Sequence, residues 1–132
     1  MVPPMKRIIL LLALVVSLTA CKKTKIEPEG PTDVRVYNNT GLVFENVVVN
    51  TSGGEFNFGT LNPYTYSAYH RYDKAYPKAD ISLIIGSNTY STPIQDYTYM
   101  QYMGQMKITY KIFISNESRR ELDTDVVPEG EL

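Results

Sequence analysis

The residues of this chain that could carry acid–base or nucleophilic chemistry are few and scattered. The single histidine, His70, lies between two tyrosines and beside Arg71. A zinc site needs three or four converging ligands, and a histidine–nucleophile pair with Ser67 would need a third, orienting group. Because Ser67 is three positions away on an apparently extended segment, we expect His70 to be a surface or edge-strand residue. The sequence therefore indicates a protein that is not an enzyme.

The acidic residues give no sign of a metal or catalytic site either. Glu121, Asp123 and Asp125 share one phase of a predicted strand, and calcium prefers six to eight such oxygens. No glycine-bearing calcium loop accompanies them, and acids on a solvated strand also prevent edge-to-edge pairing. The chain has 13 basic and 14 acidic residues, a balance too mild for a nucleic-acid partner. We expect no cofactor and no metal.

The tyrosines are the most unusual feature of the composition, with eleven of them and no tryptophan. Tyrosine offers a large contact area at low entropic cost, so tyrosine-rich surfaces recognise proteins and glycans. Two predicted connections are rich in tyrosine and form the candidate binding surface: Tyr64, Tyr66, Tyr69, Tyr72, Tyr76, Tyr97, Tyr99 and Tyr102. The alternative is that these rings pack the rim of the core, since tyrosine is also a good strand residue.

The first 21 residues carry a secretion pattern. Lys6 and Arg7 precede an unbroken apolar run from Ile8 to Val16, and small residues follow. This order is typical of a signal peptide, and the run is shorter than the roughly 20 residues of a membrane span. Leu18-Thr19-Ala20-Cys21 resembles the bacterial lipobox. The resemblance implies cleavage before Cys21 and its acylation with palmitate-type chains; the alternative is an ordinary secretory signal that ends near a cysteine.

Four segments follow from this pattern. Residues 1–20 are the predicted lipoprotein signal peptide, expected to be helical, and residues 21–31 are the lipidated Cys21 with a flexible tether rich in proline and charge. A β-domain is predicted over residues 32–127, and residues 128–132 are expected to fray. Lys22, Lys23 and Lys25 could lie against anionic headgroups or could simply be solvated.

The predicted domain reads as short strands with alternating apolar and polar residues. The predicted strands centre on Val34–Val36, Phe56–Phe58, Ile81–Ile85, Met106–Ile114 and Leu122–Val126. The run Leu42–Val49 predicts another strand, and the pattern does not decide which of its residues face the core. Clusters of Asn, Gly and Ser separate the strands, and the cluster Asn38–Gly41 is expected to close a hairpin.

Seven to eight strands at this spacing predict an all-β fold, an antiparallel β-sandwich of immunoglobulin-like architecture. A single sheet would leave one apolar face in water, so two packed layers are expected. The resemblance to immunoglobulin domains is architectural only, because the chain has neither the cysteine pair nor the tryptophan.

Short landmarks along the mature chain, together with the lipobox, resemble the small lipoproteins of Bacteroidetes-type bacteria. The landmarks are Asn38 to Gly41, Phe58-Gly59-Thr60-Leu61, Ser67-Ala68-Tyr69, Pro93-Ile94-Gln95-Asp96-Tyr97, and Gly104 leading into Ile108-Thr109-Tyr110. The resemblance implies a sandwich fold and an envelope location. That group of uncharacterised lipoproteins has no assigned activity, so the resemblance carries no functional residue to this chain.

The residues after Cys21 indicate the membrane to which a lipoprotein is sorted. Lys22 stands where enterobacterial lipoproteins retained at the inner membrane have Asp, so the outer membrane is favoured. Surface-exported lipoproteins carry acids directly after the cysteine, whereas here Glu27 and Glu29 follow three lysines. The pattern therefore favours the periplasmic face over the cell surface.

The sequence leaves two functions open besides the disfavoured enzyme. The first is a non-catalytic envelope module that is anchored in the membrane through Cys21 and binds an unknown protein or glycan. The second is a structural accessory subunit whose sheet docks in an envelope assembly.

Overall fold

The computed structural model describes residues 30–132, and this part of the chain forms eight β-strands and no helix. The strands are β1 Thr32–Asn38, β2 Glu45–Asn50, β3 Glu55–Asn57, β4 His70–Tyr72, β5 Asp80–Ile85, β6 Asn88–Ser91, β7 Met106–Asn116 and β8 Glu121–Glu131. The predicted signal peptide, Cys21 and most of the predicted tether lie outside the described residues. Over residues 30–132 there is also no helix of the length and apolarity that a membrane span requires.

The eight strands belong to one sheet in the order β3-β2-β5-β6-β8-β7-β1-β4. This sheet divides into two four-stranded halves, which meet at a single parallel pair between Ser91 of β6 and Glu121 of β8. Apolar residues of both halves form one buried cluster, so the halves cover each other's inner faces as two layers. The predicted all-β sandwich is therefore confirmed, with eight strands.

The core follows from the strand alternation that the sequence shows. Val34 and Val36 of β1, and Ile108 and Ile112 of β7, have no exposed surface. Successive side chains of a strand point to opposite faces, so these residues lie on the inner face of their half. Each buried aliphatic side chain contributes roughly 1.5–3 kcal/mol relative to an exposed one. The same alternation leaves the intervening residues outward, free to serve another purpose.

A bulge in β2 explains why the apolar run 42–49 has no single phase. Asn46 has a positive φ of 49°, and the register with β5 shifts between Glu45 and Val48. The extra residue puts Phe44, Val47 and Val49 on the same side, and all three are fully buried. Leu42 and Val43 precede the strand and are exposed, at 45% and 43%.

The pairing differs from a purely antiparallel sandwich in two places. β1 runs parallel to β7, and β6 runs parallel to β8. The segment Asn38–Gly41, predicted to close a hairpin, instead leads from one half of the sandwich to the other, because β1 pairs with β4 and β7 whereas β2 pairs with β3 and β5. The Asn38 side chain donates to the carbonyl of Leu42 at 2.6 Å and thereby fixes this crossover.

The expected fraying of residues 128–132 is wrong for all but the last of them. β8 continues to Glu131, and Pro128, Gly130 and Glu131 are in register with residues of β7. Pro128 is tolerated because the register shifts at this point of the ladder. The sequence signal misled because the segment carries strand-breaking residues, whereas the long partner β7 supplies the pairing.

The terminal strands β3 and β4 are brought together by aromatic rings. Phe56 of β3 stacks on His70 of β4 with ring centroids 3.7 Å apart and an interplanar angle of 5°. Phe58 and Tyr72 each meet the same imidazole edge-on. His70 is therefore an edge-strand residue, as predicted, and it helps to cover the two strand edges that would otherwise invite pairing with other chains.

Candidate functional site

One half of the sandwich carries a shallow groove of about 370 Å³ on its outer side. We call the outward side of β3, β2, β5 and β6 the groove face. Val48, Ser82 and Ser91 lie side by side across three strands of this face, and all three line the groove. The residues next to each of them in its strand point into the core. The alternation that builds the fold therefore also sets the floor of the groove.

Polar groups close one end of the groove. Asn50 is in register with Glu55 on β3 and with Asp80 on β5, and all three line the groove. The lining thus combines an amide, two carboxylates and several hydroxyl groups with the apolar side chain of Val48. A ligand with hydroxyl or amide groups fits this lining better than an anionic one, because the lining residues among 30–132 include no cation.

The connection from β6 to β7, residues 92–105, begins at the groove, which Thr92 and Ile94 line; we call this connection the rim. Thr92 continues the pairing with β5, since its N–H donates to the Ile81 carbonyl at 2.9 Å and its hydroxyl accepts from the Ile81 N–H at 3.0 Å. Ile94, which follows, is 96% exposed, and Tyr99 farther along is 95% exposed. A connection that is anchored at its base and presents apolar side chains to water is typical of a binding surface.

Tyr97 and Asp80 hold the rim in place. The Tyr97 hydroxyl donates to Asp80 Oδ2 at 3.0 Å, and the Gln95 N–H donates to Asp80 Oδ1 at 2.9 Å. Burial, followed by the hydrogen bond to Asp80, raises the pKa of Tyr97 well above its ordinary value. The Tyr97 hydroxyl therefore stays protonated at neutral pH and acts as a structural donor.

A stack of tyrosines lies behind the rim. The ring of Tyr76 stands 4.6 Å from that of Tyr97 and 5.0 Å from that of Tyr102. The Met103 N–H donates to the Ala75 carbonyl at 2.8 Å and ties the connection to the segment before β5. The two tyrosine-rich connections of the sequence therefore do meet, at Tyr76, Tyr97 and Tyr102.

A second group of tyrosines lies on the outer side of the other half. Tyr66 forms a bridge with Tyr37 of β1, and the Arg35 guanidinium stands 4.0 Å from the centroid of Tyr66 and 4.9 Å from that of Tyr69. The Lys107 ammonium lies over the ring of Tyr69, and the Lys111 ammonium lies over that of Tyr37. We call this surface the tyrosine–cation face; it comprises Arg35, Tyr37, Tyr66, Tyr69, Arg71, Lys107 and Lys111.

The eight candidate tyrosines therefore do not form one surface. Tyr72 and Tyr76 are only 2% and 7% exposed, so they belong to the core and not to a surface. The Tyr72 hydroxyl donates to the Val49 carbonyl at 2.9 Å and links β4 to β2, in the opposite half. Tyr64 is exposed beside the crossover, where its N–H donates to the Asn38 carbonyl.

The residues considered for catalysis have structural roles. The Ser67 hydroxyl accepts from the Val36 N–H and donates to the Ala68 carbonyl, so it is engaged with backbone groups. Asp123 forms an ion pair with Lys78 at 2.9 Å. Among residues 30–132, no group of three or more His, Cys, Asp or Glu side chains converges as a metal site.

The groove and Ile94 are the parts of the site that sequence reasoning missed. The groove needs the pairing of β2, β5 and β6, which sequence spacing does not give. Ile94 stands in a polar connection directly after a proline, and an isolated apolar residue in such a loop was the available signal.

The comparisons with known proteins add a structural likeness alone. No protein-family model matches the chain, and no curated protein matches it. An NMR structure of a protein from Eubacterium rectale is similar over 79% of this chain and 93% of that chain, with 15% sequence identity and a TM-score of 0.44. The functional interpretation therefore rests on the residues of this chain.

Proposed function

We propose that this protein is a lipid-anchored envelope lipoprotein whose sandwich is a non-catalytic binding module for a protein or a glycan. The anchor is the acylated Cys21, and the location is the periplasmic face of the outer membrane. The groove face, with Ile94 and Tyr99 at its rim, is the ligand-binding surface.

One observation carries the binding proposal: the almost fully exposed apolar side chain of Ile94 lines a polar groove. Ile94 and Tyr99 are 96% and 95% exposed, although they lie on a connection tied down by Asp80, Tyr97 and Ala75. Because the connection that carries them is tied down, these side chains need little rearrangement of the backbone on binding, so they suit a hot spot. The amide, carboxylate and hydroxyl groups of the groove supply directional hydrogen bonds for either a peptide or a sugar.

The test is capture of the partner from the native envelope by the crosslinked, lipidated protein. Protein and polysaccharide in the captured material are both measured. We expect the double variant Ile94→Ser/Tyr99→Ser to lower capture roughly tenfold or more, because each rim side chain is assigned a hot-spot role. Leu42→Ser/Tyr64→Ser is the matched control, since it removes one exposed aliphatic and one exposed tyrosine side chain away from the groove. Equal capture by all three proteins would refute the groove as the binding surface.

The lipid anchor has its own test. Growth with an alkyne-bearing fatty acid is expected to label the wild-type protein, and Cys21→Ser is expected to abolish both the label and membrane retention. Continued labelling of the Cys21→Ser variant would contradict the anchor.

A structural accessory subunit is the alternative proposal. The mutual cover of β3 and β4 by Phe56 and His70 disfavours docking through a sheet edge, so such a subunit would have to use a sheet face. Stoichiometric crosslinking of the protein into one large assembly, unaffected by the Ile94→Ser/Tyr99→Ser change, would favour this alternative.

A further inference from the structure

We infer that the groove binds a basic protein segment, with a lysine or arginine side chain of the partner at the carboxylate end. The inference rests on the proposed function and deepens it, because it selects a protein over a glycan and names the chemistry of the bound side chain. It follows from the charge of the groove face, the arrangement of its carboxylates and the apolar residues beside them.

The strands of the groove face and their connections carry acids and no basic residue. Residues 42–61 and 79–105 include β2, β3, β5, β6, two hairpins and the rim. Their charged residues are Glu45, Glu55, Asp80 and Asp96, and they contain no lysine or arginine. Glu55 and Asp80 line the groove itself. A cationic ligand is therefore attracted to this face, and an anionic ligand is repelled.

The segments next to this half do not reverse its charge. They carry five lysines and arginines, and as many acids accompany these. The cations are Arg71, Lys74, Lys78, Arg119 and Arg120, and the acids are Asp33, Asp73, Glu117, Glu121 and Asp123. Two of the cations are held in ion pairs, Arg71 with Asp33 at 2.8 Å and Lys78 with Asp123 at 2.9 Å. The negative charge of the groove face therefore remains unmatched.

The two carboxylates of the groove stand in one row across three strands. Glu55 of β3 and Asp80 of β5 are both in register with Asn50 of β2, which lies between them. The Asp80 carboxylate accepts from the Tyr97 hydroxyl and the Gln95 N–H, so its position is fixed. The exposed Glu55 carboxylate forms no hydrogen bond or ion pair with another residue of the range 30–132. A partner's cation can therefore bind Glu55 without breaking a contact of the fold.

An apolar side chain leads to this row. Val48 precedes Asn50 by two residues on β2, so the two side chains share a face at a spacing of about 7 Å. Val48 and the exposed Ile94 both line the groove. Lysine and arginine have an apolar stem and a cationic head. Such a side chain matches a surface on which Val48 is followed by Glu55 and Asp80.

The lining favours a protein segment over a glycan or a metal ion. A neutral glycan on the row would take water from two carboxylates without supplying an opposite charge, which is costly. Two carboxylates and one amide are fewer oxygen ligands than the six to eight that calcium prefers. A protein segment supplies a cation for the carboxylates and backbone amides for the hydroxyls of Ser82, Ser91 and Thr92, which also line the groove.

Charge reversal at Glu55 tests the inference in the capture of the partner from the native envelope. An exposed ion pair contributes up to about fivefold in affinity, and like charges cost a similar factor. We therefore expect Glu55→Lys to lower protein capture roughly tenfold or more, and Glu55→Gln to lower it roughly two- to fivefold. Capture by the wild type should also weaken as salt is raised.

Glu45→Lys is the matched control, because it makes the same change of charge at an exposed acid at the other end of β2. A thermal melt shows which variants are folded, and Glu55→Gln keeps the test valid if charge reversal disturbs folding. Equal losses in Glu45→Lys and Glu55→Lys overturn the inference, since they show a response to net charge and not to the groove.

Competition with synthetic peptides tests the chemistry of the partner. An excess of a peptide of alternating lysine and threonine is expected to displace the captured protein. The same peptide with glutamine for lysine is the control, and a neutral glucan oligosaccharide is the third competitor; neither should displace the partner. Equal displacement by both peptides, displacement by the oligosaccharide, or capture of polysaccharide in place of protein overturns the inference.

The rim variant separates this inference from the proposed function. If Ile94→Ser/Tyr99→Ser loses its partner while Glu55→Lys and Glu55→Gln keep theirs, the groove binds a ligand of other chemistry. The inference then fails, and the proposed function stands. Equal capture by the wild type, the rim variant and Glu55→Lys overturns both.

Discussion

The two outer faces of the sandwich are built on the same alternation and carry different side chains. On β5, Ile81 and Leu83 point inward, while Asp80 and Ser82 line a groove. On β7, Ile108 and Ile112 point inward, while Lys107 and Lys111 point outward beneath tyrosine rings. The inner residues of both strands are aliphatic, whereas the outer residues of β5 differ in chemistry from those of β7.

This difference shows how one small fold holds two independent surfaces. The inner residues must be apolar and of suitable volume, which fixes the sandwich. The outer residues carry no such constraint, so one face has a polar groove while the other has tyrosine rings and charges of both signs. Changes that touch the core should affect both faces together, whereas changes on one face should leave the other intact.

The largest effect is expected where the halves are joined. Tyr72 is 2% exposed, and its hydroxyl reaches the Val49 carbonyl of the opposite half. Tyr72→Ala should lower the free energy of unfolding by about 3–5 kcal/mol, and Tyr72→Phe by about 1 kcal/mol. Urea unfolding measures both. If Tyr72→Ala costs less than the Phe variant, the halves are not packed as one unit.

A smaller effect is expected at the hairpin between β2 and β3. A Cβ atom on Gly53 would lie 2.6 Å from the carbonyl oxygen of Lys74 and 2.8 Å from its nitrogen. Because backbone cannot move aside easily, Gly53→Ala should cost about 2 kcal/mol of unfolding free energy. Gly41→Ala is the control, since its nearest atom is 3.8 Å away. Similar melting temperatures for the two variants would show that the hairpin is not fixed against Lys74.

The rim of the groove supplies a third prediction. Tyr97→Phe removes the hydrogen bond to Asp80 and should cost about 1 kcal/mol of stability. It should also lower partner capture several-fold, because Ile94 and Tyr99 lose their fixed support. Tyr99→Phe makes the same change on an exposed ring and should leave the unfolding free energy unchanged. A Tyr97→Phe variant with normal stability and capture would argue that the rim is held by other contacts.

The smallest effect is a dependence on pH at the other face. The hydrogen bond from Arg71 holds the pKa of Asp33 below its ordinary value, against the opposing effect of burial. A lowered pKa in the folded state stabilises the protein above about pH 4, and that stability is lost as the pH falls further. Because the Arg71 side chain is 60% exposed, Asp33→Asn should cost at most about 1 kcal/mol at neutral pH.

Unfolding of wild type and Asp33→Asn, followed from pH 7 to pH 3, checks this prediction. The difference between the two proteins should shrink towards the acid end. Asp125→Asn, on an exposed strand position, is the control. A difference that grows on acidification would give the wrong sign for a carboxylate stabilised by Arg71.

The fold was predictable because its inner residues alternate. Val34, Ile81 and Ile108 each mark a strand, and each strand was found where the alternation placed it. The parallel pairing of β1 with β7 was not predictable, since partners some seventy residues apart leave no local signal. The extension of β8 through Pro128 depends on its partner in the same way.

The candidate site was predictable only in composition. The sequence indicated tyrosine-rich connections, and Tyr76, Tyr97 and Tyr102 do meet. Which tyrosines are buried depends on the layer they face, so Tyr72 could not be told from Tyr99 by sequence. The groove has no sequence signature, because it forms from outward residues of three strands that only the register brings side by side.

Site-specific photo-crosslinking tests the central claim, that the partner binds on the groove face and not on the other face, most directly. A photoreactive phenylalanine analogue replaces Tyr99 at the groove rim in one protein and Tyr66 on the tyrosine–cation face in another, and both lipidated proteins are irradiated in the native envelope. We expect a discrete protein or glycan adduct from position 99 and no such adduct from position 66. The same partner from both positions, or no adduct from position 99, would contradict the claim.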